Sequence, residues 1–325
     1  MESINFRKGE LITSCIGLGC RGMSTFYAPN DRVQSDAVLN HAADNGVTLF
    51  DTAGDSASEE LVGAFLKERT ERLSVSTKVG FRKDSERGWI IDNNPKHIRR
   101  SCDDSLSRLG VDVIDLYYLH GRNSEVPIAE SMGAMRDLQD AGKIRSIGLS
   151  EVTSEFLSAA SREASIAALQ IEYSLVKRSP EQRIIPVARE LGVTVVTCSP
   201  LGRGLLAGRF TAEDDHPTGD FRSQVSPRLQ GKNFRSNMEV IKKFDNIARE
   251  VGLPKSTLAL AWLFSRGEYV MPIPSTRSIE HLQQNIESTY AHLPADIFFK
   301  IDQLFIDGAI IDEQQRDADL VFSKE

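Results

Sequence analysis

The stretch Leu49-Phe50-Asp51-Thr52-Ala53-Gly54-Asp55-Ser56-Ala57-Ser58-Glu59-Glu60-Leu61-Val62-Gly63 reads as the end of a buried strand delivering a carboxylate, a short loop, and a helix. Ser58 is placed to cap that helix, and Glu59 and Glu60 fall in its first turn, where the helix dipole favours negative charge. Two later strands end in the same manner. Ser74-Val75-Ser76-Thr77-Lys78 ends on a lysine, and Val113-Ile114-Asp115-Leu116-Tyr117-Tyr118-Leu119-His120 ends on a histidine. Titratable side chains at three successive strand ends are what a parallel α/β barrel, a (β/α)8 TIM barrel with its active site on the C-terminal face, would give.

Working outward from that stretch, residues 4–12 read as an N-terminal β-hairpin turning at Lys8-Gly9-Glu10. A first barrel strand around Ser14-Cys15-Ile16-Gly17-Leu18-Gly19 runs into a loop over residues 22–29. Helical and β-branched segments then alternate: helix 33–45 with strand 47–51, 58–69 with 73–79, and 96–109 with 112–119. The pattern continues with 129–141 and 144–149, 153–163 and 167–171, and 180–191 and 193–198. A last strand at 269–273 precedes a helix at 278–291, which makes eight strands. Repeated right-handed βαβ units of this kind close naturally into a barrel. The whole chain, residues 1–325, reads as one such domain.

Two connections are long. About 40 residues separate strand seven from a helix near 238–251, including the polar run Thr211-Ala212-Glu213-Asp214-Asp215-His216-Pro217-Thr218-Gly219-Asp220. The other runs from Arg82 to Pro95. Long loops in compact domains usually carry function, so both are expected to shape a substrate pocket, with Phe221 and Phe234 as apolar contacts or as loop packing.

Composition narrows the function class. Charged residues make up 26% with a net charge of -7, which supplies no basic surface for nucleic acid or anionic membranes. Apolar runs fall short of the ~20 residues that a membrane helix needs, and the first seven residues lack the apolar core of a signal peptide. Cys15, Cys20, Cys102 and Cys198 show neither CxxC nor metal-ligand spacing and read as reduced thiols of a cytosolic protein. The six histidines show no ligand pairing, so no metal site is expected.

Asp51, Lys78 and His120 form a candidate catalytic constellation, because a buried lysine beside a carboxylate and an imidazole can shift a neighbouring group's pKa. The alternative is a buried Asp51–Lys78 ion pair that merely closes the barrel.

At this point the sequence resembles the aldo-keto reductase superfamily over nearly its whole length. Phe50-Asp51-Thr52-Ala53 with Ser58-Glu59-Glu60-Leu61-Val62-Gly63 is similar to the family's second-strand signature. Ser76-Thr77-Lys78 and Leu119-His120 match its lysine and histidine positions. Ile147-Gly148-Leu149-Ser150, Leu169-Gln170-Ile171-Glu172-Tyr173-Ser174 and Cys198-Ser199-Pro200-Leu201-Gly202-Arg203-Gly204-Leu205-Leu206 resemble its cofactor-binding strand ends. Ile273-Pro274-Ser275-Thr276-Arg277 with Gln284-Asn285 resembles its adenosine-phosphate site.

The resemblance implies NADPH bound extended, without a Rossmann glycine loop, and hydride transfer to a carbonyl of a small molecule. On that implication Ser150 and Gln170 hold the nicotinamide carboxamide, and Ser199, Leu201 and Arg203 line the pyrophosphate. Ser275 and Arg277 hold the 2′-phosphate, and Gln284 and Asn285 face the adenine.

Three positions depart from the family pattern, all in the nicotinamide half. Ser56 stands where the family has a tyrosine in the loop after the catalytic aspartate, and that loop is shorter than usual. In the family that tyrosine is the general acid. Glu151 replaces an asparagine beside the carboxamide, and Cys198 stands where an aromatic residue commonly stacks on the ring. The expectation is an NADPH-dependent reductase with an altered proton donor, Tyr27 first and His120 second. An imine or iminium substrate is the alternative, its cation stabilised by Asp51, Glu151 or Asp55. A third reading is a non-redox isomerase, lyase or regulatory protein that binds NADPH on the same fold.

Overall fold

The alternation of short apolar strands with amphipathic helices is realised in the computed structural model as repeated strand–helix units. The structure describes residues 1–6, 11–23, 31–54, 56–84, 88–210 and 226–312. Strands β1 (Ser3–Asn5) and β2 (Ile12–Ser14) pair antiparallel as the N-terminal hairpin. There follow β3 (Leu18–Gly19), β4 (Leu49–Asp51), β5 (Ser74–Val79), β6 (Phe81–Asp84), β7 (Gly88–Ile91) and β8 (Ile114–His120). The last four are β9 (Ile144–Ser150), β10 (Ile166–Glu172), β11 (Thr194–Cys198) and β12 (Val270–Pro272).

Strands β6 and β7 pair with each other; the remaining eight, from β3 to β12, form one parallel sheet. That sheet closes on itself. The Gly17 N–H donates to the Pro272 carbonyl at 3.0 Å and the Gly19 N–H to the Pro274 carbonyl at 3.1 Å, joining the first barrel strand to the last.

Around the sheet run α1 (Arg32–Asp44), α2 (Ser56–Lys67), α3 (Pro95–Leu109), α4 (Ile128–Asp140) and α5 (Ser154–Glu163). They are followed by α6 (Ile184–Glu190), α7 (Gly231–Glu250), α8 (Lys255–Phe264), α9 (Ile279–Glu287) and α10 (Ala295–Leu304). Local chemistry starts several of them: Asp31, Asn94, Thr153 and Ser278 accept backbone N–H groups at the first turns of α1, α3, α5 and α9.

Alternation along each strand sends one set of side chains inward and the other outward. Leu49, Leu116, Tyr118, Ala168, Val196 and Met271 fill the barrel, and Ile4, Phe6 and Leu11 of the hairpin join them. Each large apolar side chain so buried contributes roughly 1.5–3 kcal/mol. Ser14 exchanges hydrogen bonds with Thr48 just before β4, which fixes the hairpin at the N-terminal end of the barrel. The opposite end, where the strands terminate in polar residues, is the working face. Outward residues such as Val75, Tyr117, Leu119, Ile147 and Val195 pack beneath the helices.

Several expectations are corrected. Ser14 belongs to the hairpin, so the first barrel strand shrinks to two residues. The insertion from Arg82 to Pro95 is the β6–β7 hairpin for much of its length. The helix expected near 238–251 starts earlier, at Gly231, and α8 and α10 have no counterpart in the sequence reading. The polar run 211–220 and the turn at Lys8-Gly9-Glu10 lie outside the described residues. Among the described residues no helix is long and apolar enough to cross a membrane.

Candidate active site

Asp51 ends β4, Lys78 is the penultimate residue of β5 and His120 ends β8, so all three emerge at the C-terminal face. The Lys78 ammonium lies 2.8 Å from Oδ2 and 3.0 Å from Oδ1 of Asp51 and donates to the Thr52 carbonyl at 2.6 Å. Oδ1 of Asp51 also accepts from Ser76 Oγ at 2.6 Å and from Gln170 Nε2 at 3.0 Å. The two charged side chains are 6% and 7% exposed. Such a buried pair is tolerable because every donor of the ammonium is used and the carboxylate is multiply bonded. The Asp51–Lys78 pair therefore does close adjacent strands, and it does so at the mouth of the barrel.

The loop after Asp51 is held by a relay. Thr77 Oγ1 accepts the Gly54 N–H at 2.9 Å and donates to Glu59 Oε1 at 2.6 Å, while Arg108 Nε donates to Glu59 Oε2 at 2.6 Å. Glu59 is wholly buried, so it is a tie between β5 and α3 and not a solvated first-turn charge. The helix begins at Ser56, which places Ser58 inside the first turn and not at the cap. Glycine is required at two points here. Gly54 (φ 69°) and Gly80 (φ 143°) lie against the carbonyl oxygens of Lys78 and His120, and a Cβ at either would collide with them.

The His120 imidazole packs edge-on against the Phe81 ring, with centroids 4.6 Å apart and planes at 82°. Burial, reinforced by the positive charges of Lys78 and Arg21, pushes its pKa down to about 3. The ring is neutral at physiological pH: it can donate one N–H hydrogen bond, but it carries no acidic proton to surrender. Held neutral in this way, His120 is less suited than a free histidine to serve as the substitute general acid.

The residues expected at the nicotinamide end lie on the next three strands. Ser150 and Gln170 are buried and in register on β9 and β10. The Glu151 carboxylate reaches across the strand ends, accepting the Glu172 N–H at 2.9 Å and lying 3.6 Å from Cys198 Sγ. Its side chain is open outward, yet burial of the carboxyl among these strand ends, and then the charge of Glu172, raise its pKa to about 7. Burial alone would push Glu172 up as well; Arg228 at 2.8 Å and Arg203 at 3.7 Å outweigh it and hold that carboxyl low.

Among the described residues, the non-glycines with left-handed backbone are Glu151 (φ 51°), Ser199 (φ 47°) and Arg203 (φ 59°). All three follow the ends of β9 or β11. Strain of this kind persists where a site over-determines the backbone.

Ser275 and Arg277 immediately precede Ser278, the cap of α9, so they stand at a helix N-terminus suited to an anion. Leu201 leads into the tight turn that carries Arg203. Gln284 is engaged through Oε1 with Ser256 Oγ at 3.0 Å. Asn285 is buried and its amide has no partner for either polar atom. An orphaned buried amide costs free energy unless something meets it, and it suits the hydrogen-bonding edge of a purine.

Tyr27, Asp55 and Phe221 lie outside the described residues. Phe234 is buried in the core beneath the helices and does not line the mouth. Tyr118 occupies the barrel interior, its ring centroid 5.4 Å from the Lys78 nitrogen, but it is fully buried. The sequence reading gives Ser76 and Glu172 no role of their own, although each sits two residues from an identified residue on the same strand. Period-two alternation puts such residues on the same side and was the signal available.

A closed parallel barrel with its polar machinery gathered at the C-terminal strand ends defines a (β/α)8 barrel enzyme. The chain belongs to the aldo/keto reductase family, whose sequence model matches residues 15–306. It is 40% identical over 293 residues to "Aldo-keto reductase yakc [NADP(+)]" of Schizosaccharomyces pombe, covering 87% of this chain and 86% of that one. It is 37% identical over 280 residues to "Probable aldo-keto reductase 1" of Glycine max, covering 84% and 80%. Among solved structures, the glycerol dehydrogenase AKR11B4 from Gluconobacter oxydans matches with a TM-score of 0.83 at 28% identity, covering 93% of this chain and 94% of that one. The holo form of aldo-keto reductase AKR11C1 from Bacillus halodurans matches with a TM-score of 0.78 at 27% identity, covering 97% and 99%. As a member of that family the protein is an oxidoreductase, and the first of these relatives carries NADP(+) in its name.

Proposed function

We propose that this protein, a single-domain cytosolic enzyme, reduces the C=O group of a small organic substrate by hydride transfer from NADPH, with a proton donor other than the family's tyrosine. The observation that carries the proposal is the saturated Asp51–Lys78 pair beside the neutral His120 imidazole on one barrel face. Lys78 supplies fixed positive charge where negative charge builds on the substrate oxygen, and Asp51 holds that ammonium in place. His120 orients the carbonyl through an N–H. Tyr27 is the donor assigned by sequence position, because Ser56 occupies the usual tyrosine's place and a serine hydroxyl is too weak an acid.

When bound, NADPH supplies the hydride. Ser150 and Gln170 hold the carboxamide and Cys198 borders the ring. Ser199, Leu201 and Arg203 line the pyrophosphate, Ser275 and Arg277 take the 2′-phosphate, and Gln284 with Asn285 meets the adenine. The unpartnered amide of Asn285 is the feature of this chain that best fits the adenine end.

A C=N substrate is the second reading, and a specific observation favours it. Lys78 has no uncommitted donor and His120 has no acidic proton, so a substrate that arrives protonated would suit the described groups. Fluorescence titration with NADPH, followed by aldehydes, ketones and cyclic imines while the cofactor's absorbance is watched, separates the two. Oxidation driven by carbonyls supports the first reading, and imine turnover exceeding carbonyl turnover replaces it with the second.

A further inference from the structure

We propose that Glu151 is the counter-ion of the oxidised nicotinamide ring, stabilising the positive charge that the ring acquires as it gives up hydride. The inference rests on the reading above, which places that ring over Ser150, Gln170 and Cys198. In the hydride step, one hydrogen and its electron pair pass from the ring to the substrate's electrophilic carbon. The ring becomes a cation, and Glu151 exchanges neither proton nor electron.

Geometry puts the carboxylate in position. Its side chain turns across the mouth of the barrel, tethered by the Glu172 N–H at 2.9 Å and bordered by the Cys198 thiol at 3.6 Å. It thus spans the ends of β9, β10 and β11. The backbone that aims it is held at φ 51°, a conformation that L residues rarely adopt.

Charge distinguishes it from the other described acids at this face. Asp51 is paired with Lys78, Glu59 with Arg108, and Glu172 with Arg228 and Arg203. Glu151 has no ion-pair partner among the described residues. Among the described residues, the charged and titratable groups facing it are Glu172 on β10, Cys198 on β11 and Lys177 beyond β10, of which Lys177 opposes its negative field. A carboxylate fixed at the strand ends with no described cation paired to it is complementary to a cationic ligand, and the nicotinamide ring is cationic only after hydride has left. The same surroundings hold the carboxyl near half-ionisation at neutral pH, so its influence grows as pH rises.

The test measures dissociation constants for NADP+, NADPH and 2′-phospho-ADP-ribose, which lacks the ring, by calorimetry at about pH 5.5 and about pH 8.5. Wild type is expected to favour NADP+ over NADPH roughly tenfold more at the higher pH than at the lower. A tenfold preference lowers the bound couple's potential by about 30 mV, toward reduction of the substrate. In Glu151→Gln the pH-dependent excess disappears while 2′-phospho-ADP-ribose binds as before, and Glu151→Asp restores at least part of it. Titration of the 2′-phosphate is common to all three ligands and cancels in the ratio. The inference is overturned if Glu151→Gln keeps the wild-type ratio at both pH values. If wild type binds the three ligands with one affinity, the ring does not rest on these strand ends, and the cofactor reading falls with it.

Discussion

The Lys78 ammonium meets the Asp51 carboxylate at 2.8 Å across two neighbouring barrel strands, and both side chains are buried. Removing one member leaves the other buried and uncompensated, at a cost of roughly 3–5 kcal/mol. Asp51→Asn should therefore lower unfolding stability by that order, measured by urea denaturation. Lys78→Met should depress turnover by at least ~100-fold, the loss typical when a positioned electrostatic group is removed. Cofactor affinity in Lys78→Met should change little, because the proposed cofactor contacts lie on the ends of β9 to β11 and at α9, away from Lys78 on β5. Retained turnover in Lys78→Met would remove the pair from catalysis and leave it a structural tie.

His120 carries a pH signature. Its folded pKa is depressed to about 3, whereas an unfolded histidine titrates near ~6.5. Below ~6.5 the unfolded chain takes up a proton that the folded chain refuses, so stability present at neutral pH is lost as pH falls, down to about 3. The slope from this one group approaches about 1.4 kcal/mol per pH unit. Urea unfolding between about pH 4 and 7.5 should show a steeper acid loss in wild type than in His120→Asn. Parallel curves would mean that the imidazole is protonated in the folded state, and it would return as a candidate acid.

The barrel was legible because its signals are local and repeated. Asp51, Lys78 and His120 each end a β-branched run, and strand ends of parallel barrels collect polar residues. What the sequence did not show depends on contacts distant along the chain. The Glu59 tie to Thr77 and Arg108 looks identical, in sequence, to a solvated first-turn glutamate. The Glu172–Arg228–Asp312 bridge joins a strand end to segments far along the chain. Helix α8 is buried on nearly all sides, so its apolar run lacks the 3.6-residue stripe that would mark a helix. The orphaned amide of Asn285 is a statement about missing partners, which only packing reveals.

The hairpin after β5 bears on substrate choice. Its register pairs Phe81 with Ile91 and Lys83 with Trp89, so these four side chains share one face. Phe81 lies against His120, and Ile91 packs at Gly121, so that face looks onto the mouth. Trp89 continues it outward and is 62% exposed. A large exposed aromatic beside a pocket gains free energy when an apolar ligand covers it. Trp89→Ala should raise KM for aromatic and aliphatic substrates roughly tenfold while leaving the NADPH dissociation constant unchanged. Equal KM values across a graded series of substrates would place Trp89 outside the pocket.

Asn285 gives a test in which stability and binding move in opposite directions. Its amide is buried in α9 with neither polar atom partnered, and a buried unsatisfied group costs about 1–3 kcal/mol relative to a satisfied or apolar one. Asn285→Leu keeps the forked shape and heavy-atom count and removes that penalty, so the cofactor-free protein should be more stable by about 1 kcal/mol, seen as a rise in urea midpoint. The same change deletes the hydrogen bonds that the adenine would complete, and NADPH affinity should fall at least ~10-fold. A structural asparagine gives another pattern, with stability lost and binding weakened only in proportion to the fraction unfolded. Calorimetry on the folded variant distinguishes the two, since a gain in stability together with a loss of affinity arises only if the amide waits for a ligand.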